Sequence, residues 1–133
     1  MLTLTKKITR EIQVIACDFD DTIGEYVNGV LEIKSMAISV LTELQRNGVE
    51  IILWTCRKGD TLREAVEACR AAGLEFDAVN ENAPRHMQRW LEAHPEDVGQ
   101  PQSPKVYADL YLDDHSRFDG EVDWARLRFE LLG

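Results

Sequence analysis

Val14-Ile15-Ala16-Cys17-Asp18-Phe19-Asp20-Asp21-Thr22 is an apolar run that feeds directly into three carboxylates within four positions. The run is short and carries the β-branched residues Val14 and Ile15, so it reads as a buried strand. Packed carboxylates repel one another and lose solvation, so a strand ending in three of them calls for a compensating positive charge. Mg²⁺ is the simplest candidate. In an open α/β sheet the carboxyl end of a strand is also where ligands bind. A helix cap or Asx turn is the alternative, but a cap requires one carboxylate and not three.

Outward from this stretch, strands alternate with helices. The first strand covers about Gln13 to Cys17. Tyr26-Val27-Asn28-Gly29-Val30-Leu31 places Asn-Gly between β-formers and predicts a hairpin. Ser35 is predicted to cap a helix running to Asn47, with Ile38, Leu41 and Leu44 on one face and Asn47-Gly48 as its stop. Val49 to Trp54 is a second buried strand, ending at Thr55. Asp60 is predicted to cap a helix that reaches Ala72 and stops at Gly73. Glu75 to Val79 is a weak third strand, and Pro84 opens a helix to about His94. Val106 to Leu112 is a fourth strand, ending at Asp113-Asp114, and Trp124 to Leu132 is a final helix. The alternation predicts an α/β fold: one three-layer, Rossmann-like domain over residues 1–133 with a mainly parallel sheet.

Composition narrows the function classes. The chain has 133 residues, 44% of them hydrophobic, enough for one packed core. A net charge of -9 opposes broad nucleic-acid or anionic-membrane binding. No run reaches the roughly 18 apolar residues of a membrane span. Met1 to Arg10 lacks the apolar core and cleavage site of a signal peptide. Cys17, Cys56 and Cys69 share no metal-ligand spacing and read as reduced thiols of a cytoplasmic protein.

Three strand ends carry the candidate chemistry. Asp18 and Asp20, two apart on extended backbone, would project to the same side with Cα atoms about 7 Å apart. Thr55 ends the run Ile51-Ile52-Leu53-Trp54, where its hydroxyl could donate to a phosphoryl oxygen or make a local turn bond. Cys56 and Arg57 follow in the same loop, and Arg57 could bind a substrate anion. Asp113-Asp114 again finishes an apolar run in adjacent carboxylates, and a second acidic strand end favours a hard, oxygen-ligand metal site.

The order acidic pair, Thr, then Asp-Asp at successive strand ends resembles the haloacid dehalogenase-like (HAD) superfamily, from Val14 to at least Asp114. Asp18-Phe19-Asp20-Asp21-Thr22 is similar to the family's first motif, with Asp21 where members often carry Gly. The Asn-Gly hairpin falls where HAD proteins carry their flap. Only about a dozen residues separate Thr22 from Ser35, so the resemblance is to small members without a large cap domain. It implies a Mg²⁺-dependent phosphatase. Asp18 would be the nucleophile that forms an aspartyl-phosphate. Asp20 would protonate the leaving group and then activate water. Asp18, the Asp20 carbonyl and Asp113 would hold the metal, Asp114 would orient its shell, and Thr55 would bind a phosphoryl oxygen.

The family also uses a Lys beside the phosphate, and Lys105 matches in order. An extended run from Lys105 to Asp113 would span roughly 26 Å and leave the Lys at the wrong end of its strand. That role therefore requires the regular strand to begin near Ala108, with the chain folding back before it. Arg57, Lys58 and Arg85 are rival cations. The implied partner is a phosphorylated small molecule or a phosphoester exposed on a macromolecule, and a second subunit of a homo-oligomer could cover the open site. Two other functions fit an acidic α/β domain: a receiver-type signalling module phosphorylated at Asp77, and a non-catalytic scaffold that binds a partner.

Overall fold

The computed structural model describes residues 12–116 and 121–133; Met1 to Arg10 lies outside the described residues. Among the described residues it is a mixed α/β protein. The strands are β1 (Val14–Cys17), β2 (Gly24–Val27), β3 (Val30–Ile33), β4 (Glu50–Leu53), β5 (Ala78–Val79) and β6 (Leu110–Leu112). The helices are α1 (Ser35–Arg46), α2 (Gly59–Ala71), α3 (Pro84–Ala93) and α4 (Trp124–Leu132). The main sheet has the order β5-β4-β1-β6. Every pairing in it is parallel, with Val14 opposite Glu50, Cys17 opposite Leu53 and also opposite Leu112.

The central strand β1 is buried throughout, as its unbroken apolar run requires of a strand covered on both faces. Its side chains divide by parity. Ile15 and Cys17 join a core with Phe19, Leu41, Leu44, Ile51 and Trp124. Val14 and Ala16 join a second core on the opposite face with Ile52, Ala83, Val106 and Ala108.

The hairpin forms where Asn-Gly places it. Asn28 and Gly29 have φ of 52° and 79°, the left-handed pair that a two-residue turn between twisted strands demands. At its base, a Cβ on Gly24 would lie 2.5 Å from Cζ of the fully buried Phe19. Only glycine lets the hairpin close over that ring.

Several predicted boundaries shift for identifiable reasons. Ser35 is the first helical residue of α1 rather than its cap; Lys34 holds the cap position without a side-chain bond. Asp60 falls inside the first turn of α2, one residue after Gly59 at φ 58°, and pairs with Arg63 at 2.7 Å instead of capping. The third strand contracts to Ala78–Val79. The fourth contracts from Val106–Leu112 to Leu110–Leu112, because the preceding residues bond elsewhere. Tyr107 N donates to Asn82 Oδ1 at 2.7 Å, and the Asp109 carboxylate turns back to accept from Gln13 N and Val14 N at 2.8 and 2.9 Å.

Candidate active site

β1 and β6 deliver the carboxylates. Asp18 N donates to Leu112 O at 2.9 Å, which extends the ladder one residue beyond β1. Asp18 therefore projects from the face that carries Val14 and Ala16. Asp113 and Asp114 follow β6 directly. Asp18, Asp113 and Asp114 each bring a carboxylate oxygen to within 4.8 Å of the others.

The turn after β1 locks this arrangement. Asp21 has φ 61°, a left-handed conformation that Gly adopts freely and Asp tolerates. The turn buries Thr22, whose Oγ1 accepts from Asp114 N at 3.2 Å and whose carbonyl accepts from Trp124 Nε1 at 3.2 Å. His115 N donates to Asp113 Oδ1 at 2.9 Å.

The exposed imidazole of His115 stands beside the cluster, its Nε2 3.8 Å from Asp114 Oδ2. Asp114 Oδ1 is buried and has no hydrogen-bond partner among the described residues. Burial first, and the adjoining Asp114 carboxyl next, push the Asp18 carboxyl up from the ordinary 3.8 to about 7. An orphaned buried oxygen among three all-oxygen ligands fits a hard divalent cation.

Thr55 makes its local turn bond and keeps a donor. Its Oγ1 accepts from Arg57 N at 3.1 Å, and its own N donates to Asn80 Oδ1 at 2.8 Å. Among the described residues no hydrogen bond takes the hydroxyl proton. Cys56 is exposed.

Asp20 parts from Asp18. It lies past β1, in an isolated bridge to Gly24, so the alternation expected of extended backbone has ended before it. The Asp20 carboxylate sits in the guanidinium fork of Arg57, with Nη2 at 2.8 Å from Oδ1 and Nε at 3.0 Å from Oδ2.

Lys105 meets the condition set by its distance from Asp113. The regular strand starts at Leu110, and the chain before it folds back, with Tyr111 Oη donating to Val106 O at 2.5 Å. Lys105 Nζ stands 5.5 Å from the centroid of the Tyr111 ring. Both residues line a cavity of about 730 Å³ between α3 and residues 97–111, whose walls include Val106 and Ala108 of the second core. That core lies on the face from which Asp18 projects. Of the rival cations, Arg85 is placed elsewhere: its Nε lies 3.5 Å from Glu50, at the start of β4.

Four polar residues with structural roles escape a reading of pattern alone. Glu50 is 2% exposed, and its two carboxylate oxygens accept from Arg85 N and His86 N, each at 3.0 Å. It does for α3 what a cap residue would, from a different strand. Asn80 and Asn82, which precede that helix, bond Thr55 N and Tyr107 N. Asp109 was signalled only by its charge inside an apolar run.

No protein-family model matches the chain, and no curated protein matches it. Among solved structures, a conserved protein coded by a locus from Bacteroides thetaiotaomicron is 36% identical. The match covers 88% of this chain and 88% of that one, with a TM-score of 0.66. At that identity, over that share of both chains, the protein described here belongs to the family of the conserved Bacteroides thetaiotaomicron protein.

Proposed function

We propose that this protein is a Mg²⁺-dependent phosphoric monoester hydrolase of the HAD type that works through an aspartyl-phosphate on Asp18. The observation that carries this reading is the convergence of Asp18, Asp113 and Asp114 around a buried carboxylate oxygen that has no partner among the described residues. The mixed α/β sheet is compatible with a three-layer, Rossmann-like domain in which the β2–β3 hairpin serves as the flap and no large cap is present.

Mg²⁺ bound by Asp18, Asp113 and the Asp20 carbonyl, with Asp114 orienting its shell, would supply the charge neutralisation that phosphoryl transfer demands. The residues of the chain do the rest. The Asp18 carboxylate attacks phosphorus, and the leaving oxygen takes a proton from Asp20. Asp20 then accepts a proton from the water that cleaves the acyl phosphate. Thr55 donates its free hydroxyl proton to a phosphoryl oxygen, and Lys105 adds positive charge from the same face of the sheet.

A receiver-type mechanism has less to build on. Asp77 precedes β5, and its Oδ2 accepts from Ile51 N at 2.7 Å and Gln45 Nε2 at 3.0 Å. It stands at the rim of the sheet opposite Asp18 and is engaged there.

A phosphoester panel with and without Mg²⁺, run on wild type and Asp18→Asn, tests the proposal. Wild type should release phosphate only with Mg²⁺, and Asp18→Asn should lose at least about 10³-fold in kcat. Full activity in Asp18→Asn would refute the assigned nucleophile.

A further inference from the structure

We propose that Arg57 is a positioning residue that sets where the Asp20 carboxyl stands, and that the β2–β3 hairpin acts on the reacting centre through it. This rests on the hydrolase reading above. The loop position of Arg57 suggested a direct contact with a substrate anion, yet its donors are already committed. Nε is shared between the two Asp20 oxygens, at 3.2 and 3.0 Å, and Nη2 reaches Asp20 Oδ1 at 2.8 Å and Tyr26 Oη at 3.3 Å. Nη1 takes Thr61 O at 3.0 Å and Glu64 Oε1 at 3.3 Å. These bonds account for all five N–H groups of a guanidinium.

The partners come from separate elements. Tyr26 belongs to the hairpin, while Thr61 and Glu64 belong to α2. Tyr26 Oη donates to Glu64 Oε1 at 2.6 Å, closing the ring of contacts. The guanidinium carbon lies 4.7 Å from the Phe19 ring centroid and 5.7 Å from that of Tyr26, so it is stacked as well as bonded. The Arg57 side chain is 9% exposed and that of Asp20 is 50% exposed. The arginine is the fixed member of the pair. Asp20 lies beyond the regular strand, so the fork of Arg57, rather than the sheet, decides the direction of its carboxyl. A lysine has one ammonium in place of the fork and could not fix that direction in the same way.

The leaving-group dependence of hydrolysis tests this. p-Nitrophenolate departs without a proton, whereas an alkoxide needs one, so misplacing Asp20 harms the first step, phosphorylation of Asp18, selectively for alkyl phosphates. The value of kcat/KM, which ends at that step, reads it apart from the shared hydrolysis. Arg57→Gln should lower kcat/KM for an alkyl phosphate at least tenfold more than for p-nitrophenyl phosphate. Arg57→Lys should recover only part of the loss. Tyr26→Phe, which keeps the ring and removes only the hydroxyl, should show the same selectivity at a few-fold level and carries the test if Arg57→Gln fails to fold. Equal losses of kcat/KM on both substrates would overturn the inference and leave the hydrolase standing. A wild type that turns over no phosphoester with Mg²⁺ would overturn both.

Discussion

Both rims of the parallel sheet carry carboxylates, and the two rims use them in opposite ways. At the N-terminal rim, Asp109 accepts from Gln13 N and Val14 N, Asp77 from Ile51 N, and Glu50 from Arg85 N and His86 N. Tyr107 Oη donates to the second oxygen of Asp109. At the C-terminal rim, Asp18, Asp113 and Asp114 crowd within 4.8 Å, and Asp114 Oδ1 is buried with no partner among the described residues. The first group is satisfied by the protein itself and closes strand and helix ends. The second group leaves one buried oxygen unsatisfied among the described residues, which is the condition of a site open to a cationic ligand. The same residue type is structural on one side and a candidate for chemistry on the other, and hydrogen-bond satisfaction separates them.

Substitution at the N-terminal rim should therefore cost stability without touching turnover. Glu50→Ala removes the acceptor for two backbone donors of α3 and the partner of Arg85 and Arg89. It should destabilise the protein by about 3 kcal/mol in denaturant unfolding, with kcat unchanged in the folded fraction. A loss of kcat matching that of Asp18→Asn would erase the distinction between the rims.

A smaller effect should appear with pH at the C-terminal rim. Asp18 is held near 7 in the folded chain, above its unfolded value of about 3.9. Its contribution is fully present below the unfolded value and is lost as pH rises through about 7. In EDTA the melting temperature should fall between pH 5 and pH 7.5, and Asp18→Asn should flatten that slope. An identical slope in Asp18→Asn would show that the crowding at Asp18 does not govern it.

How much of this was legible in the sequence follows the range of the interactions. Apolar runs, Asn28-Gly29 and the acidic strand ends are local signals, and they placed β1, the hairpin, Asp18 and Asp113-Asp114. Partners far apart in sequence were not legible. Asn80 and Asn82 resemble cap residues, yet they bond Thr55 and Tyr107. Glu50 reads as a charge at the mouth of a strand, and its role depends on α3 folding over it. Asp20 follows Asp18 by two, which suggests a shared face, but the chain leaves the strand before it and Arg57 claims the carboxylate. The shortened β6 depends on Asp109 closing the N-terminal end of β1, a bond across 95 residues.

Calorimetric titration of the metal-free protein with Mg²⁺ tests the contrast between the rims most directly. Wild type should bind one ion per chain, Asp18→Asn and Asp113→Ala should lose binding, and Asp109→Asn should bind as wild type does. Absence of Mg²⁺ binding in the wild type, or an equal loss in Asp109→Asn, would contradict the account.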